Sequence, residues 1–215
     1  MIEVKIMDEL ENIVEHLNNR PPSILGNDKF HKFAILLPLV KKDGEYHILF
    51  EVRSHDMRRQ PGEICFPGGR IEPGDRDARS AAIRETSEEL GISTEEIVNV
   101  SPLDYMVSPF GTMIFPFAGM ISKVESIKPN PSEVAEVFTV PVSFFQKSKP
   151  DVYDVHFRIE PDVDFPFDMI IGGENYNWQS RKMEEYFYYY EERVIWGLTA
   201  RILAHFIEII GEIKD

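Results

Sequence analysis

Three glutamates, Glu85, Glu88 and Glu89, lie within a short segment whose residues favour an α-helix. Residues three and four positions apart share one face of a helix, so these carboxylates are expected to lie close together. Like charges at this spacing destabilise an isolated helix, and a bound cation relieves the repulsion. Mg²⁺ and Mn²⁺ prefer oxygen ligands and would suit such a stripe of carboxylates. For the three glutamates taken alone, however, we favour the alternative, a solvated acidic face.

The residues on either side of the glutamates favour the metal site over the solvated face. Gly68 and Gly69 precede the segment, and two successive glycines allow the backbone to turn tightly and to approach a metal or a phosphate closely. Arg84 directly precedes Glu85, and Gly91 stands where glycine commonly ends a helix. We therefore interpret the acidic stripe as a metal site.

The same segment resembles the Nudix box, the signature helix of the Nudix hydrolases. The residues that match it are Arg84, Glu85, Glu88, Glu89, Gly91 and Ile92. It differs at Thr86, which occupies a position that is usually apolar, and in a loop from Gly69 to Arg84 that is one residue longer than is common. The methyl group of Thr86 is expected to pack inward. The longer loop, with Asp75 in place of the usual glutamate, resembles one Nudix subfamily.

That subfamily is the coenzyme A diphosphatases, whose own signature is similar to residues 49–69 of this chain. The residues shared with its pattern, including the acidic residue downstream, are Arg53, Ser54, Arg58, Gly62, Phe66, Pro67, Gly68, Gly69 and Asp75. Gln60 stands where the pattern has histidine. This difference weakens the assignment of the substrate more than that of the reaction, because Gln60 lies outside the carboxylate helix. With similar segments at 130–141 and 195–200, the resemblance runs from about Phe33 to the C-terminal helix.

The resemblance implies a metal-dependent hydrolase that cleaves the diphosphate of coenzyme A or an acyl derivative into 4′-phosphopantetheine and 3′,5′-ADP. It implies that Mg²⁺ or Mn²⁺ is held by Glu85, Glu88 and Glu89, with a backbone carbonyl near Gly69 as a further ligand. Arg84 would orient these carboxylates through an ion pair. The general base is either Glu133, outside the helix, or Glu85; the alternative for Glu133 and Glu136 is a charged strand edge.

Four arginines, Arg53, Arg58, Arg59 and Arg70, cluster around the subfamily motif. Coenzyme A carries a 3′-phosphate as well as a diphosphate, so several guanidinium groups near the site would suit it. Ordinary surface arginines are the alternative for Arg59 and Arg70. The aromatic run 186–190 and Trp196 could stack on an adenine, although packing on the faces of a sheet explains most of them.

Two other functions stay open. The protein could carry out the same hydrolysis on ADP-ribose, a dinucleotide or a nucleoside triphosphate. The difference from the coenzyme A pattern at Gln60 supports this alternative. A Nudix-like module that binds a nucleotide without cleaving it is the other alternative, but such modules usually lack part of the carboxylate set, which this chain has complete.

The composition bounds the class of protein. A length of 215 residues fits one compact domain, which we divide into an N-terminal helical extension at 1–30 and a Nudix hydrolase domain at 31–215. The net charge of −14 would repel nucleic-acid phosphates, so a nucleic-acid partner is not expected. A phosphorylated small molecule can still bind where a metal or a local cationic patch inverts the field.

The N-terminus and the single cysteine, Cys65, bear on location. The first residues mix acidic with apolar side chains, and no apolar run approaches the roughly 18 residues that a membrane span needs, so we expect no signal peptide and no membrane partner. One cysteine excludes an internal disulfide and fits a reducing cytoplasm. Cys65 is expected to be a buried, inert thiol rather than a nucleophile.

The pattern of apolar residues predicts several strands and three separated helices, which is typical of a mixed sheet flanked by helices. This agrees with the fold class that the resemblance implies, an α/β (α+β) Nudix-type α/β/α sandwich. The N-terminal helix carries apolar residues at helical spacing up to Leu17, which either core packing or a homodimer contact would explain. The strands are expected at 32–40, 46–53, 64–66, 104–107, 114–122, 136–140, 152–159 and 185–190. The later helices are expected at 77–90 and 193–212.

Overall fold

The computed structural model of the protein describes residues 2–212, with side chains described from residue 10 onward. The elements are α1 (Ile2–Asn18), β1 (His31–Lys42), β2 (Glu45–Arg53), β3 (Ile64–Cys65), β4 (Gly68–Arg70), α2 (Ala78–Leu90), β5 (Ile97–Pro102), β6 (Met106–Ser108), β7 (Thr112–Ile121), β8 (Val134–Pro141), α3 (Val142–Lys147), β9 (Asp151–Phe157), β10 (Arg181–Tyr190), β11 (Arg193–Trp196) and α4 (Gly197–Gly211).

The central sheet is mixed and has eight strands, with β3, β2, β1, β7 and β5 side by side in that order. Three short additions complete it, because β4 pairs with β1, β6 with β7, and β8 with β2. β1 and β7 run parallel, with Ala34 opposite Phe115, and the other pairs in this sheet are antiparallel. The β1–β7 pair forms the middle of the sheet, beside the carboxylate helix.

The two faces of this sheet bury separate apolar cores, because neighbouring residues of a strand point to opposite faces. Leu36 packs with Ala81 and Leu90 of α2, whereas Leu37 packs with Phe145 of α3 and Leu203 of α4. The expected α/β/α sandwich is therefore confirmed, with α2 on one side and α3 and α4 on the other.

The structure corrects the expected elements in the C-terminal third of the chain. The final helix does not start at Arg193, because Arg193–Trp196 forms β11, which pairs antiparallel with the end of β10. Together β9, β10 and β11 make a second, three-stranded sheet. Tyr188 of this sheet is 3% exposed and packs edge-on against Phe145, so packing rather than base stacking explains that tyrosine.

Further differences are local. The strand expected at 104–107 is β6, shifted to Met106–Ser108, and β4, β5 and α3 were not expected. Tertiary pairing explains β4 and β6, since strands of three residues are too short to show a period of their own. The strand β5 and the helix α3 have six residues each, which is still below the window over which a period can be recognised.

The N-terminal helix α1 presents an apolar face to solvent. Leu10, Ile13, Val14 and Leu17 are each more than half exposed, so core packing does not explain them. A homodimer contact stays a prediction. No helix among residues 2–212 is long and apolar enough to cross a membrane.

Candidate active site

Helix α2 is held at both ends by its own residues. Asp77 accepts a hydrogen bond from the backbone N–H of Ser80 at 2.7 Å, and the Ser80 hydroxyl in turn accepts from the Asp77 N–H, which forms a capping box. Gly91 ends the helix in the left-handed conformation with φ 60°, where glycine carries little strain. These caps set the helical register that places the glutamates, as the sequence predicted.

The double glycine of β4 lies directly against two of the predicted metal ligands. The backbone N–H of Gly68 donates to Oε2 of Glu89 at 2.7 Å. The carboxylate of Glu85 packs against Gly69 so closely that a β-carbon there would overlap it. Glycine at both positions therefore lets a strand and the side chains of α2 approach each other.

Arg84 is the centre of a network of ion pairs on the same helix. Its Nε and Nη2 bond both carboxylate oxygens of Asp75, at 2.9 and 3.0 Å, while Nη1 lies 3.0 Å from Oε1 of Glu85. Nη2 also donates to the carbonyl oxygen of Arg70 at 3.3 Å. The hydrogen bonds from Arg84 hold the pKa of Asp75 below its usual range. Arg84 thus ties the long loop after β4 to Glu85, in agreement with the orienting role expected for it.

A cleft of about 460 Å³ collects most of the predicted site residues. Its lining includes Arg53, Arg59, Gln60, Cys65, Gly68, Gly69, Arg70, Glu85, Glu89, Glu133 and Leu198. Glu133 enters it from the loop before β8, where the Asn130 side-chain amide donates to Oε2 of Glu133 at 3.3 Å. Gln60 donates to Glu63 at 2.9 Å in a left-handed turn with φ 52°.

Besides Arg84, two predicted residues lie apart from the cleft lining. The Glu88 side chain is 56% exposed, and its Oε2 accepts a hydrogen bond from Nη1 of Arg84 at 3.1 Å. Glu88 does not line the cleft, so the structure brings together Glu85 and Glu89 but not Glu88. Arg58 is exposed and does not line the cleft, whereas Arg59 and Gln60 of the same turn do.

Glu51, on β2, is a buried carboxylate that the sequence analysis did not single out. It is 1% exposed, and the thiol of Cys65 donates to its Oε1 at 3.2 Å. Its Oε2 has no hydrogen-bond partner among the described residues. The available signal was a single charged residue inside the apolar run 48–52, which is unusual for a strand buried on both faces.

Burial makes these carboxylates reluctant to ionise. Burial raises the pKa of Glu89 well above its usual range, and the nearby carboxylates of Glu51, Glu85 and Glu133 add to the effect. Burial likewise raises the pKa of Glu51. It also raises the pKa of the Cys65 thiol, which fits the inert thiol expected from the sequence. A cation placed among these groups would remove the repulsion between them.

The donor set suits a hard divalent cation. Among residues 2–212, no three His, Cys, Asp or Glu side chains already converge closely enough to chelate a metal. In their present positions Glu85 and Glu89 are engaged by Arg84 and by the Gly68 N–H. The cleft nevertheless offers carboxylate oxygens from Glu85 and Glu89, together with the backbone around Gly69, and Mg²⁺ and Mn²⁺ prefer such ligands.

Comparison with known proteins gives a family match and several relatives of this chain. A sequence model of the NUDIX domain matches residues 30–162. The chain is 38% identical over 123 residues to the peroxisomal coenzyme A diphosphatase NUDT7 of Mus musculus, covering 57% of this chain and 51% of that protein. The chain thus spans about half the length of this mouse relative. It is also 30% identical to the Nudix hydrolase NudL of Photorhabdus laumondii, covering 85% of this chain and 86% of that protein.

A solved structure shows the same fold. The crystal structure of a MutT/nudix family protein from Enterococcus faecalis matches with a TM-score of 0.51 and 14% identity, covering 94% of this chain and 69% of that one. At this identity the match concerns the fold alone.

Proposed function

The chain belongs to the NUDIX domain family and is a Nudix hydrolase, and from this premise we propose that it hydrolyses the diphosphate of coenzyme A or an acyl derivative in a reaction that depends on Mg²⁺ or Mn²⁺. The observation that carries the proposal is the convergence of Glu85, Glu89 and Glu133 with Arg53, Arg59 and Arg70 in one cleft. The mouse relative described as a coenzyme A diphosphatase supports this choice of substrate.

The residues of the cleft divide the chemistry between them. Glu85 and Glu89 would hold the metal, which neutralises the diphosphate and lowers the pKa of a bound water. Arg84 keeps Glu85 in place through its contacts with Asp75. The guanidinium groups of Arg53, Arg59 and Arg70 suit the diphosphate oxygens, since arginine bonds phosphate with two parallel N–H donors.

Glu133 is our candidate for the general base. The water oxygen attacks one phosphorus of the diphosphate, its proton passes to Glu133, and the bridging P–O bond breaks with its electron pair leaving on the other phosphate. Glu85 is the rival base, but the hydrogen bond and ion pair that it makes with Arg84 already engage one of its oxygens.

Substrate profiling tests the proposal. Purified protein with Mg²⁺ or Mn²⁺ should cleave coenzyme A to 3′,5′-ADP and 4′-phosphopantetheine faster than it cleaves ADP-ribose, a dinucleotide or a nucleoside triphosphate. Faster cleavage of ADP-ribose would overturn the choice of substrate while leaving the reaction class. If the protein binds coenzyme A and metal but releases no product, and Glu89→Gln changes nothing, the protein is a binding module instead.

Two further variants separate the candidate bases. Glu133→Gln should lower kcat while leaving Mn²⁺ affinity unchanged, whereas Glu85→Gln should weaken Mn²⁺ binding as well. Equal metal affinity in both variants, with the larger loss of kcat in Glu85→Gln, would assign the base to Glu85.

A further inference from the structure

A second, larger groove lies next to the catalytic cleft. We call it the distal groove; it encloses about 960 Å³, and its lining includes Phe30, Phe110, Phe157, Arg158, Arg181 and Arg201. The loop between β6 and β7 forms one wall, and the ends of β9 and β10 form another. None of these residues belongs to the motifs that carry the reaction.

The distal groove is continuous with the catalytic cleft along two elements. At the start of β7, Gly111 of the preceding turn lines the groove and the next residue, Thr112, lines the cleft. On α4, Leu198 lines the cleft and Arg201, three residues later, lines the groove. Residues three apart share a helix face and lie within about one 5.4 Å turn of each other. A ligand as long as a nucleotide can therefore extend from one space into the other.

The charge of the distal groove is opposite to that of the protein. Arg158, Arg181 and Arg201 are exposed, and no carboxylate among residues 10–212 lies within 4.0 Å of their guanidinium groups. Lys182 and Glu184 also line the groove; Lys182 is paired with Asp154 at 2.8 Å, and with Glu184 counted the lining still carries a net positive charge. On a chain with a net charge of −14, three arginines around one hollow favour an anionic ligand.

Aromatic rings stand beside these arginines. Phe110 is 62% exposed, and its ring centroid lies 5.3 Å from that of Phe157. Exposed aromatic rings next to cationic side chains suit a nucleotide, because bases stack on the rings while phosphates bond the guanidinium groups. An uncharged, flexible chain such as pantetheine would leave the arginines without a partner.

From this arrangement we propose that the distal groove binds the 3′-phosphoadenosine end of the substrate, with the base against Phe110 and the 3′-phosphate on Arg181 and Arg201. The inference rests on the proposed function and deepens it. Within coenzyme A, the 3′-phosphate is the one charged group outside the diphosphate. The arginines of the catalytic cleft serve the diphosphate, and those of the distal groove discriminate for the 3′-phosphate.

A cycle of substrate and protein changes tests this assignment. Coenzyme A and dephospho-coenzyme A differ only by the 3′-phosphate. Arg181→Ala and Arg201→Ala should each raise the KM for coenzyme A about tenfold, the size expected for losing one charge-assisted contact, and leave the KM for dephospho-coenzyme A and both kcat values unchanged. Lys147→Ala, which removes an exposed cation on α3 outside the groove, should change neither KM. Circular dichroism verifies that each variant folds.

Binding of products without metal gives a second measurement that does not depend on turnover. By calorimetry, wild-type protein should bind 3′,5′-ADP more tightly than 5′-AMP. Arg181→Ala and Arg201→Ala should remove that difference in affinity. Phe110→Ala should weaken the binding of both nucleotides equally.

Three results would overturn the inference. One is an equal rise in the KM for coenzyme A and the KM for dephospho-coenzyme A in Arg181→Ala and Arg201→Ala. Another is that both variants keep the preference for coenzyme A over dephospho-coenzyme A while Arg59→Ala loses it. That result would place the 3′-phosphate in the catalytic cleft. The third is a wild-type protein that binds both nucleotides equally. If neither coenzyme substrate is cleaved, the proposed function fails, but the nucleotide binding still decides the assignment of the groove.

Discussion

Single residues of the cleft act through their neighbours, and Arg84 shows this most directly. Its guanidinium group bonds both oxygens of Asp75 and lies 3.0 Å from Glu85, so Asp75 of the loop and the proposed metal ligand Glu85 share one arginine. Lysine has one compact ammonium group and cannot reproduce this fork. The geometry of Arg84, beyond its charge, therefore positions Glu85.

We expect Arg84→Lys to lower Mn²⁺ affinity by about 10- to 100-fold, the usual loss when a residue that orients a metal ligand is changed. Isothermal titration of the folded variant with Mn²⁺ measures the effect. Arg79→Lys is the matched control, since Arg79 lies on the same helix and donates to the Val100 carbonyl outside the cleft. Unchanged Mn²⁺ affinity in Arg84→Lys would refute the orienting role.

Glu51 makes the metal-free protein sensitive to pH. Burial raises the pKa of Glu51 in the folded protein above the ordinary value of 4.5. At a pH between these two values, Glu51 is protonated in the folded state and ionised in the unfolded state. Stability is therefore greatest below pH 4.5 as far as Glu51 is concerned, and decreases as the pH rises through the folded pKa.

Without metal, Glu51→Gln should raise Tm at pH 8 and change it little at pH 5, because glutamine removes the ionisation that burial opposes. A chain of this size gains about 2–4 °C for each kcal/mol recovered. Thermal melts at both pH values, with the exposed Glu125→Gln as control, give the comparison. A lower Tm at pH 8 would mean that the charged form of Glu51 stabilises the fold.

At the scale of elements, the site depends on how closely β4 approaches α2. Gly69 has an ordinary backbone conformation, so only the Glu85 carboxylate prevents a larger residue there. Gly68 is more constrained, because its φ is 153° and a β-carbon would lie 2.5 Å from the Ala34 carbonyl oxygen. Substitution at Gly69 should therefore displace the Glu85 side chain without disturbing the backbone of β4.

Gly69→Ala should displace Glu85 and lower kcat/KM by about 100-fold, the scale expected for a misplacement of about 1 Å, with a folded far-ultraviolet spectrum. Gly74→Ala is the matched control, since a β-carbon at Gly74 meets nothing within 4 Å. Steady-state kinetics on both variants gives the answer. Full activity in Gly69→Ala would show that Glu85 does not need its observed place.

At the scale of the whole molecule, α1 stands apart from the catalytic sandwich. The side chains described on its apolar face are more than half exposed, and the two cores draw their residues from the central sheet, α2, α3, α4 and the second sheet. The fold that supports the site is therefore built from residue 31 onward.

Removing residues 1–22 should leave kcat unchanged and shift Tm by less than about 2 °C, since exposed surface contributes little to stability. Thermal melts and kinetics of the shortened chain measure this. Light scattering of both chains also tests the predicted homodimer, because loss of a dimer on truncation would assign the contact to α1. A large drop in Tm would show that α1 packs on the sandwich.

Local sequence was enough to predict the carboxylate helix and the Nudix hydrolase family. The caps Asp77 and Gly91, the inward Thr86 and the position of Arg84 before Glu85 all follow from helical spacing and backbone propensity, which act over a few residues. The resemblance to the Nudix box rests on this same short-range pattern, and the family match is consistent with it.

Tertiary structure alone decided which charged groups meet. Glu51 and Cys65 lie 14 residues apart and come together only because β2 and β3 pair, and Gly68 meets Glu89, 21 residues later, because β4 lies against α2. The strand β11 replaced only the first four residues of the expected final helix, because pairing with β10 outweighed local propensity. The distal groove joins segments around residues 110, 158, 181 and 201. Contacts between distant segments produce the grooves, the burial of side chains and the repulsion between carboxylates. A short-range pattern carries no information about such contacts.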